Sequence, residues 1–285
     1  MGSERILLDT GPSESGFHRI EAYLRCPQLF AWGYGQAGSR DPKVRERSIS
    51  RFPPTPPLVR GSLGHVALAH LYARQKATQD GANPEVYHPP LKAMELVAVK
   101  FGDLGAEMLS IAVKAVRAYV NHYFTEKRRI LAVEEQEETL FHGYRYTARV
   151  DLEWIDRAGK VWFTDHKFCS KLESKTLRRY LLSGQFLGLQ WLGARKFGDQ
   201  FGGVEINLIG CGDPISFLRK VPDPAPYRLE RYPDDVRLAE EGIKRLEDLI
   251  ARKQPIPANP SEFTCYSSYG ECPAFEFCRW GAGSA

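Results

Sequence analysis

The stretch WFTDHKFCSK (residues 162–171) reads as a β-strand that carries an aspartate and a lysine two residues apart in a mostly apolar run. Side chains at i and i+2 share a strand face, so Asp165 and Lys167 point together while His166 turns to the opposite side. A carboxylate and an ammonium held that close are either a salt bridge or part of a reactive centre. The neighbouring segments decide between the two.

Immediately upstream, YTARVDLEWI (146–155) alternates Ala148, Val150, Leu152 and Trp154 against Arg149, Asp151 and Glu153. DRAG at 156–159 has turn composition, so the two runs form an antiparallel hairpin. If Ile155 pairs with Val161, Asp151 falls opposite Asp165, with Cβ atoms about 5 Å apart. Like charges so placed repel unless something positive sits between them. A hard divalent cation with oxygen ligands meets that need, with Lys167 on the same face. The competing reading is a surface hairpin with scattered charges, and register separates them, because a one-residue slip turns Asp151 to the other face. The matched positions of Asp151, Asp165 and Lys167 favour the metal site.

Outward from the hairpin, ILAVEEQEETLF (130–141) reads as a preceding strand, in which Glu135 is a candidate accessory acid or a solvated edge charge. SESGFHRIEAYLR reads as a helix capped by Ser15 and stopped at Cys26-Pro27. Residues 39–60 are basic and proline-rich and read as an exposed loop, GSLGHVALAHLYARQK (61–76) as a helix, and 105–124 as a longer one. Helix KTLRRYLLSGQFLGLQWLGARKFG, strands GGVEINLIGCG and PISFLRK, and the amphipathic helix DDVRLAEEGIKRLEDLIARK follow. The order predicts an α/β (α+β) fold with a small mixed sheet flanked by helices. The expected organisation is one domain over 1–285, with a helical part at 61–128 and a catalytic core at 130–220.

At 285 residues the chain can bury a sizeable core, and its net charge of +4 permits a nucleic-acid partner without requiring one. MGSERILLDTG has an apolar run of only three residues, unlike a secretory signal, and no stretch reaches membrane-spanning length. The expectation is a cytoplasmic protein with no membrane partner, whose six cysteines are thiols or metal ligands. Cys265, Cys272 and Cys278 form a C-x6-C-x5-C series in a tail with little periodicity, and Cys26 stands near the start. Four thiolates suit zinc or an iron–sulfur cluster, and the lack of tight C-x2-C pairs favours the cluster. Cys169 and Cys211 fall in strand-like runs and read as buried free thiols.

The early helix ending in YLRCP, the GSLGH segment, VD in one strand and D-H-K in the next, the helix carrying Gln185 and the cysteine trio together resemble the PD-(D/E)XK nuclease superfamily. The similarity is greatest to its RecB-like branch with an iron–sulfur cluster, which includes CRISPR-associated exonucleases. The resemblance implies a restriction-endonuclease-like core. It also implies that His65, Asp151, Asp165 and the carbonyl of His166 bind Mg²⁺ or Mn²⁺. Lys167 would then orient or activate water, and Gln185 would support the site and the DNA. Cys26 and 265–278 would join in a 4Fe–4S region, with zinc as the alternative. Leu189 stands where that helix of the family has tyrosine, with Trp191 as the nearby aromatic.

Just past this strand, Lys171, Lys175 and Arg178 form a basic stripe if helix begins that early, with Arg179 and Tyr180 beside them. Such a stripe suits a phosphate backbone, and Tyr180 suits stacking on a base. The implied partner is DNA, single-stranded or with free ends, with a helicase or other DNA-processing protein as a further partner. The sequence reading is therefore a metal-dependent deoxyribonuclease acting as an exonuclease. The rival readings are a non-catalytic DNA-binding or assembly subunit that keeps the fold, and a zinc-stapled adaptor.

Overall fold

The computed structural model describes residues 15–37, 54–173, 177–178, 180, 183–223, 226–267, 270–272, 274–275 and 278. Its helices are α1 (Phe17–Arg25), α2 (Pro27–Ala37), α3 (Pro56–Gln79), α4 (Pro90–Ala98), α5 (Gly102–His122), α6 (Gly184–Phe197), α7 (Pro226–Ala251) and the short α8 (Glu262–Cys265). The strands are β1 (Arg129–Phe141), β2 (Tyr144–Ile155), β3 (Val161–Cys169), β4 (Phe201–Gly210) and β5 (Ser216–Lys220), with a two-residue pair β6 (Tyr266–Ser267) and β7 (Gly270–Glu271). These elements divide into two compact units, one from Pro54–Glu138 and Ala148–Glu230, the other from the described residues of 12–53, 139–147 and 231–285.

The five-stranded sheet has the order β1-β2-β3-β4-β5. Strands β2 and β3 are antiparallel, β3 and β4 parallel, and β4 and β5 antiparallel, so the sheet is mixed as the sequence predicts. The parallel step requires a crossover, which α6 occupies. Ile155 pairs with Val161, the register expected from the DRAG turn, and that ladder runs as far as Leu152 opposite Thr164.

Each face of the sheet buries a separate apolar cluster. Val150, Phe163, Ile206 and Leu208 pack with Phe186 and Leu189 of α6. Ile130, Leu152 and Ile209 pack with Leu68 and Tyr72 of α3 and with Ala115 and Tyr119 of α5. Strand β4 is buried on both faces from Gly203 to Gly210, as a central strand must be. It nevertheless carries Glu205 and Asn207 toward the helical layer. Glu205 takes a forked pair of bonds from Arg128 at 2.8 and 3.0 Å, and that guanidinium lies over the Trp154 ring at 4.1 Å. Burying such a pair is tolerable because both ends of the fork are satisfied.

Helix α3 begins at Pro56, earlier than the sequence reading placed it, with proline in the first turn where its missing N–H costs nothing. The basic stretch 39–60 is thus not all loop: 56–60 start α3, and 38–53 lie outside the described residues. Helix α1 starts after Gly16, which makes no side-chain cap, rather than after a capping Ser15. Within the second unit, Arg19 of α1 forks onto Glu240 of α7 at 2.5 Å, and the hydroxyls of Tyr146 and Tyr232 meet at 2.7 Å in its interior. Among the described residues, no helix is long and apolar enough to cross a membrane.

The two glycines of GSLGH play different parts. A Cβ on Gly64 would lie 2.3 Å from the ring of Phe168, whereas one on Gly61 would meet nothing within 4 Å. Phe168 cannot swing away freely, because it packs against the cluster under α3 and α5, against a further cluster that includes Leu63, Val66, Met94 and Met108, and against the His65 ring at 5.9 Å. Gly64→Ala should therefore destabilise the protein by about 1–3 kcal/mol through overpacking. Gly61→Ala should stabilise it by about 0.5–1 kcal/mol through helix propensity. Urea unfolding of both variants measures the contrast, and equal effects would refute it.

Candidate active site

Strand alternation breaks where the candidate residues lie. Val150 and Leu152 are two apart, yet they pack on opposite faces of the sheet, so the regular pleat is interrupted at Asp151. The β2–β3 ladder ends there too, and Asp151 is not a backbone partner of Asp165 as the sequence reading supposed. Its Oδ2 instead accepts the backbone N–H of His166 at 2.7 Å. In β1, Glu134 has φ 53°, a left-handed conformation that is uncommon for a residue with a side chain. The neighbouring Glu135 is exposed on the edge strand, as a solvated edge charge would be, and the acid that joins the group is Glu134.

These two irregularities bring Glu134 and Asp151 to His65 of α3. One ligand atom from each of the three lies within 4.8 Å of the others, a group able to hold a metal ion. His65 Nδ1 stands 3.3 Å from Asp151 Oδ2, and Arg149 Nε stands 2.9 Å from Glu134 Oε2. Asp165, on the other strand of the hairpin, is engaged differently: Lys167 Nζ lies 2.9 and 2.8 Å from its two oxygens, and Gln185 Nε2 donates to Oδ1 at 3.0 Å. The shared face expected for Asp165 and Lys167 is observed, as is the opposite direction of His166.

Electrostatics follow from burial opposed by pairing. Burial disfavours the charged form of His65, but the adjacent Asp151 carboxylate outweighs it and raises the imidazole pKa to about 9. Asp151 is likewise buried, yet His65 beside it holds its pKa below the usual carboxylate range. Asp165 is only 6% exposed, and burial raises its pKa, with Lys167 opposing and the Asp151 charge reinforcing the rise. Lys167 is raised because the two aspartates outweigh its own burial. The His166 ring, buried against the helical layer, is pushed down to about 3 by desolvation.

The remaining predicted residues fall into place unevenly. Tyr180, Gln185 and Leu189 line a small cavity with Asp165, and Tyr180 is close enough to act on Lys167 electrostatically. Leu189 is core. Lys171 lies in a bend before α6 and Arg178 in a separate helical turn, while Lys175 and Arg179 lie outside the described residues. In the second unit, Cys26, Cys265, Cys272 and Cys278 line one cavity. Arg25 Nε and Nη2 donate to Thr264 O at 3.0 and 2.7 Å, tying the end of α1 to the cysteine-bearing tail. The Cys278 thiol is raised by burial and then by the nearby Cys26 and Cys265.

A family model described as the PD-(D/E)XK nuclease superfamily matches residues 17–279. The chain belongs to the PD-(D/E)XK nuclease superfamily. Its mixed sheet with flanking helices is the restriction-endonuclease-like α+β architecture. Membership supports nuclease activity and the divalent-metal use typical of the superfamily. A candidate exonuclease from Eubacterium rectale is similar in structure, with a TM-score of 0.47, 10% identity, and coverage of 87% of this chain and 85% of that one. The protein SSO0001 is similar with a TM-score of 0.30, 14% identity, and coverage of 63% and 74%. No curated protein matches in sequence.

Of the carboxylates in this nuclease's site, Glu134 is the one a strand pattern does not reveal. Glu134→Gln removes its charge and keeps its shape, and should weaken Mn²⁺ binding at least ~10-fold. Calorimetric titration of the protein with Mn²⁺ measures this, and an unchanged affinity would remove Glu134 from the metal site.

Proposed function

We propose that this protein is a divalent-metal-dependent deoxyribonuclease of the RecB-like branch, acting as an exonuclease on single-stranded or frayed DNA ends. The observation that carries the reading is the gathering of His65, Glu134 and Asp151 around one point, with Asp165 and Lys167 paired on the adjoining strand. The donors are one imidazole and carboxylate oxygens, which suit Mn²⁺ or Mg²⁺, with imidazole favouring manganese. His65, Asp151 and Asp165 would hold the ion, with the His166 carbonyl and Glu134 as further oxygen ligands. The cation would supply a Lewis acid that lowers the pKa of water and offsets negative charge on the phosphate.

The chain's own groups do the rest. Lys167, kept cationic by its contact with Asp165, orients the attacking water and balances charge developing on the phosphodiester. Gln185 restrains Asp165 through its bond to Oδ1. Tyr180 stands beside Lys167, where a base at the cleaved end would stack. Lys171 and Arg178 would add positive charge for a bound strand, with Lys175 and Arg179 close to them in sequence. Hydrolysis would leave a 5′-phosphate. The setting is a DNA-processing protein of the cytoplasm that works beside a helicase or related partner.

End-labelled single- and double-stranded DNA incubated with Mn²⁺, Mg²⁺ or EDTA tests the activity. Cleavage from ends in Mn²⁺, and none in EDTA, is expected. Asp165→Ala should abolish it and Lys167→Ala should slow it at least ~10²-fold, both without loss of fold. Undiminished cleavage by Asp165→Ala would remove the assignment, and an inert wild type would leave the non-catalytic DNA-binding subunit as the better reading.

The four cysteines around one cavity support a 4Fe–4S cluster in the second unit. Anaerobically purified protein should be coloured and contain about four irons per chain. Cys272→Ala should lose that iron and unfold more readily. Stoichiometric zinc in a colourless protein would refute the cluster.

A further inference from the structure

Behind the candidate site, four polar side chains from four elements meet in the interior. His166 (β3) is 2% exposed and Asn207 (β4) 0% exposed, while Tyr72 (α3) and Tyr119 (α5) are also buried. Asn207 Nδ2 lies 2.8 Å from His166 Nδ1 and donates to Tyr119 Oη at 3.0 Å. Tyr119 Oη also accepts from Arg219 Nη2 at 2.6 Å, which occupies both of its lone pairs. Its own proton therefore goes to Tyr72 Oη, 2.6 Å away. With the Asn207 amide in this orientation both of its protons are used, so His166 Nδ1 is assigned as the acceptor and Nε2 as the protonated nitrogen. Neither that Nε2 nor Asn207 Oδ1 has a hydrogen-bond partner among the described residues.

The ring of His166 is stacked flat on Tyr72, 2° from parallel with centroids 5.8 Å apart, and meets His65 and Tyr119 edge-on at 6.4 Å each. Stacking limits tilt but not rotation within the ring plane. The bond from Asn207 sets that rotation, because Nε2 has no partner among the described residues to share the task. His166 is also the residue whose backbone N–H holds Asp151 Oδ2, and Tyr72 lies two helical turns from His65 on the same stripe of α3.

We propose that Asn207 is a positioning residue for the nuclease centre: by fixing the His166 ring it fixes the peptide that orients Asp151 and the spacing between Asp151 and His65. The proposal rests on the assignment of His65 and Asp151 to the metal site. Outer-shell partners of this kind typically contribute 10- to 100-fold in metal affinity. The role differs from ordinary core packing, because a loosened Asp151 can be refilled by more metal, whereas a damaged core cannot.

Mn²⁺ titration of the metal-free protein, followed by electron paramagnetic resonance, tests this in wild type and Asn207→Leu, alongside melting temperature and the Mn²⁺ dependence of DNA cleavage. Asn207→Leu should bind Mn²⁺ roughly 10- to 100-fold more weakly, regain most of its kcat at high Mn²⁺, and keep its affinity for DNA. Unchanged Mn²⁺ affinity in a folded Asn207→Leu overturns the proposal alone. Failure of the wild type to bind Mn²⁺ overturns it together with the metal site. A second measurement does not depend on the variant folding. ¹⁵N spectra of histidine-labelled wild type, with His166 assigned by its loss in His166→Phe, should show protonated Nε2 and bare Nδ1. The opposite tautomer would overturn the proposal.

Discussion

Three carboxylates stand near one end of a sheet where water is scarce, and the architecture around them is what allows their closeness. Glu134, Asp151 and Asp165 each have a cation within bonding distance: Arg149, His65 and Lys167 respectively. A carboxylate buried without such a partner would neutralise itself by taking up a proton. Asp165 already shows the tendency, since its burial lifts its pKa even with Lys167 alongside. The cationic partners keep the group anionic in the absence of an ion, and His65 is the one that a metal can replace, because imidazole becomes a ligand once it gives up its proton.

The position of that cluster comes from imperfect strands. A regular strand presents every second residue to one face, which would separate Glu134 from Asp151's neighbours by the demands of core packing. The break at Asp151 lets Val150 serve the cluster under α6 and Leu152 serve the cluster under α3, while the carboxylate between them reaches His65 and the His166 amide. The left-handed backbone at Glu134 does the same for β1. Irregular backbone of this sort costs of order 1–3 kcal/mol at a residue with a side chain, and it persists only where the surroundings determine it. Here those surroundings include Arg149 on Glu134 and the His166 amide on Asp151.

This also explains what was legible in the sequence. The DRAG turn and the two alternating runs specify the hairpin register correctly, because turn length and the apolar pattern are local signals. Asp165, Lys167 and the opposed His166 are legible for the same reason. Glu134 is not, since a positive φ at glutamate has no sequence signature. The Asn207–Tyr119–Tyr72 network was equally hidden: Asn207 sits in an apolar strand, and its partners lie 88 and 41 residues away in sequence. The approach of Cys26 to the cysteine tail depends on tertiary structure too, yet the four residues were identifiable because thiols in an otherwise weakly patterned tail need something to hold them.

The two proposed metal centres would require opposite chemistry, and the distribution of the remaining cysteines is consistent with both. Iron–sulfur clusters are held by soft thiolate ligands, whereas a hard divalent ion binds oxygen. Cys169 is two residues past Lys167 on β3 and so is the thiol nearest the carboxylates in sequence. Its S–H donates to Ile209 O at 3.6 Å, as that of Cys211 does at 3.7 Å, and both are half-buried rather than the fully buried thiols expected. Burial raises both pKa values, that of Cys211 to about 11. The candidate site on the sheet gathers carboxylate oxygens and imidazole, while four other cysteines line the cavity of the second unit.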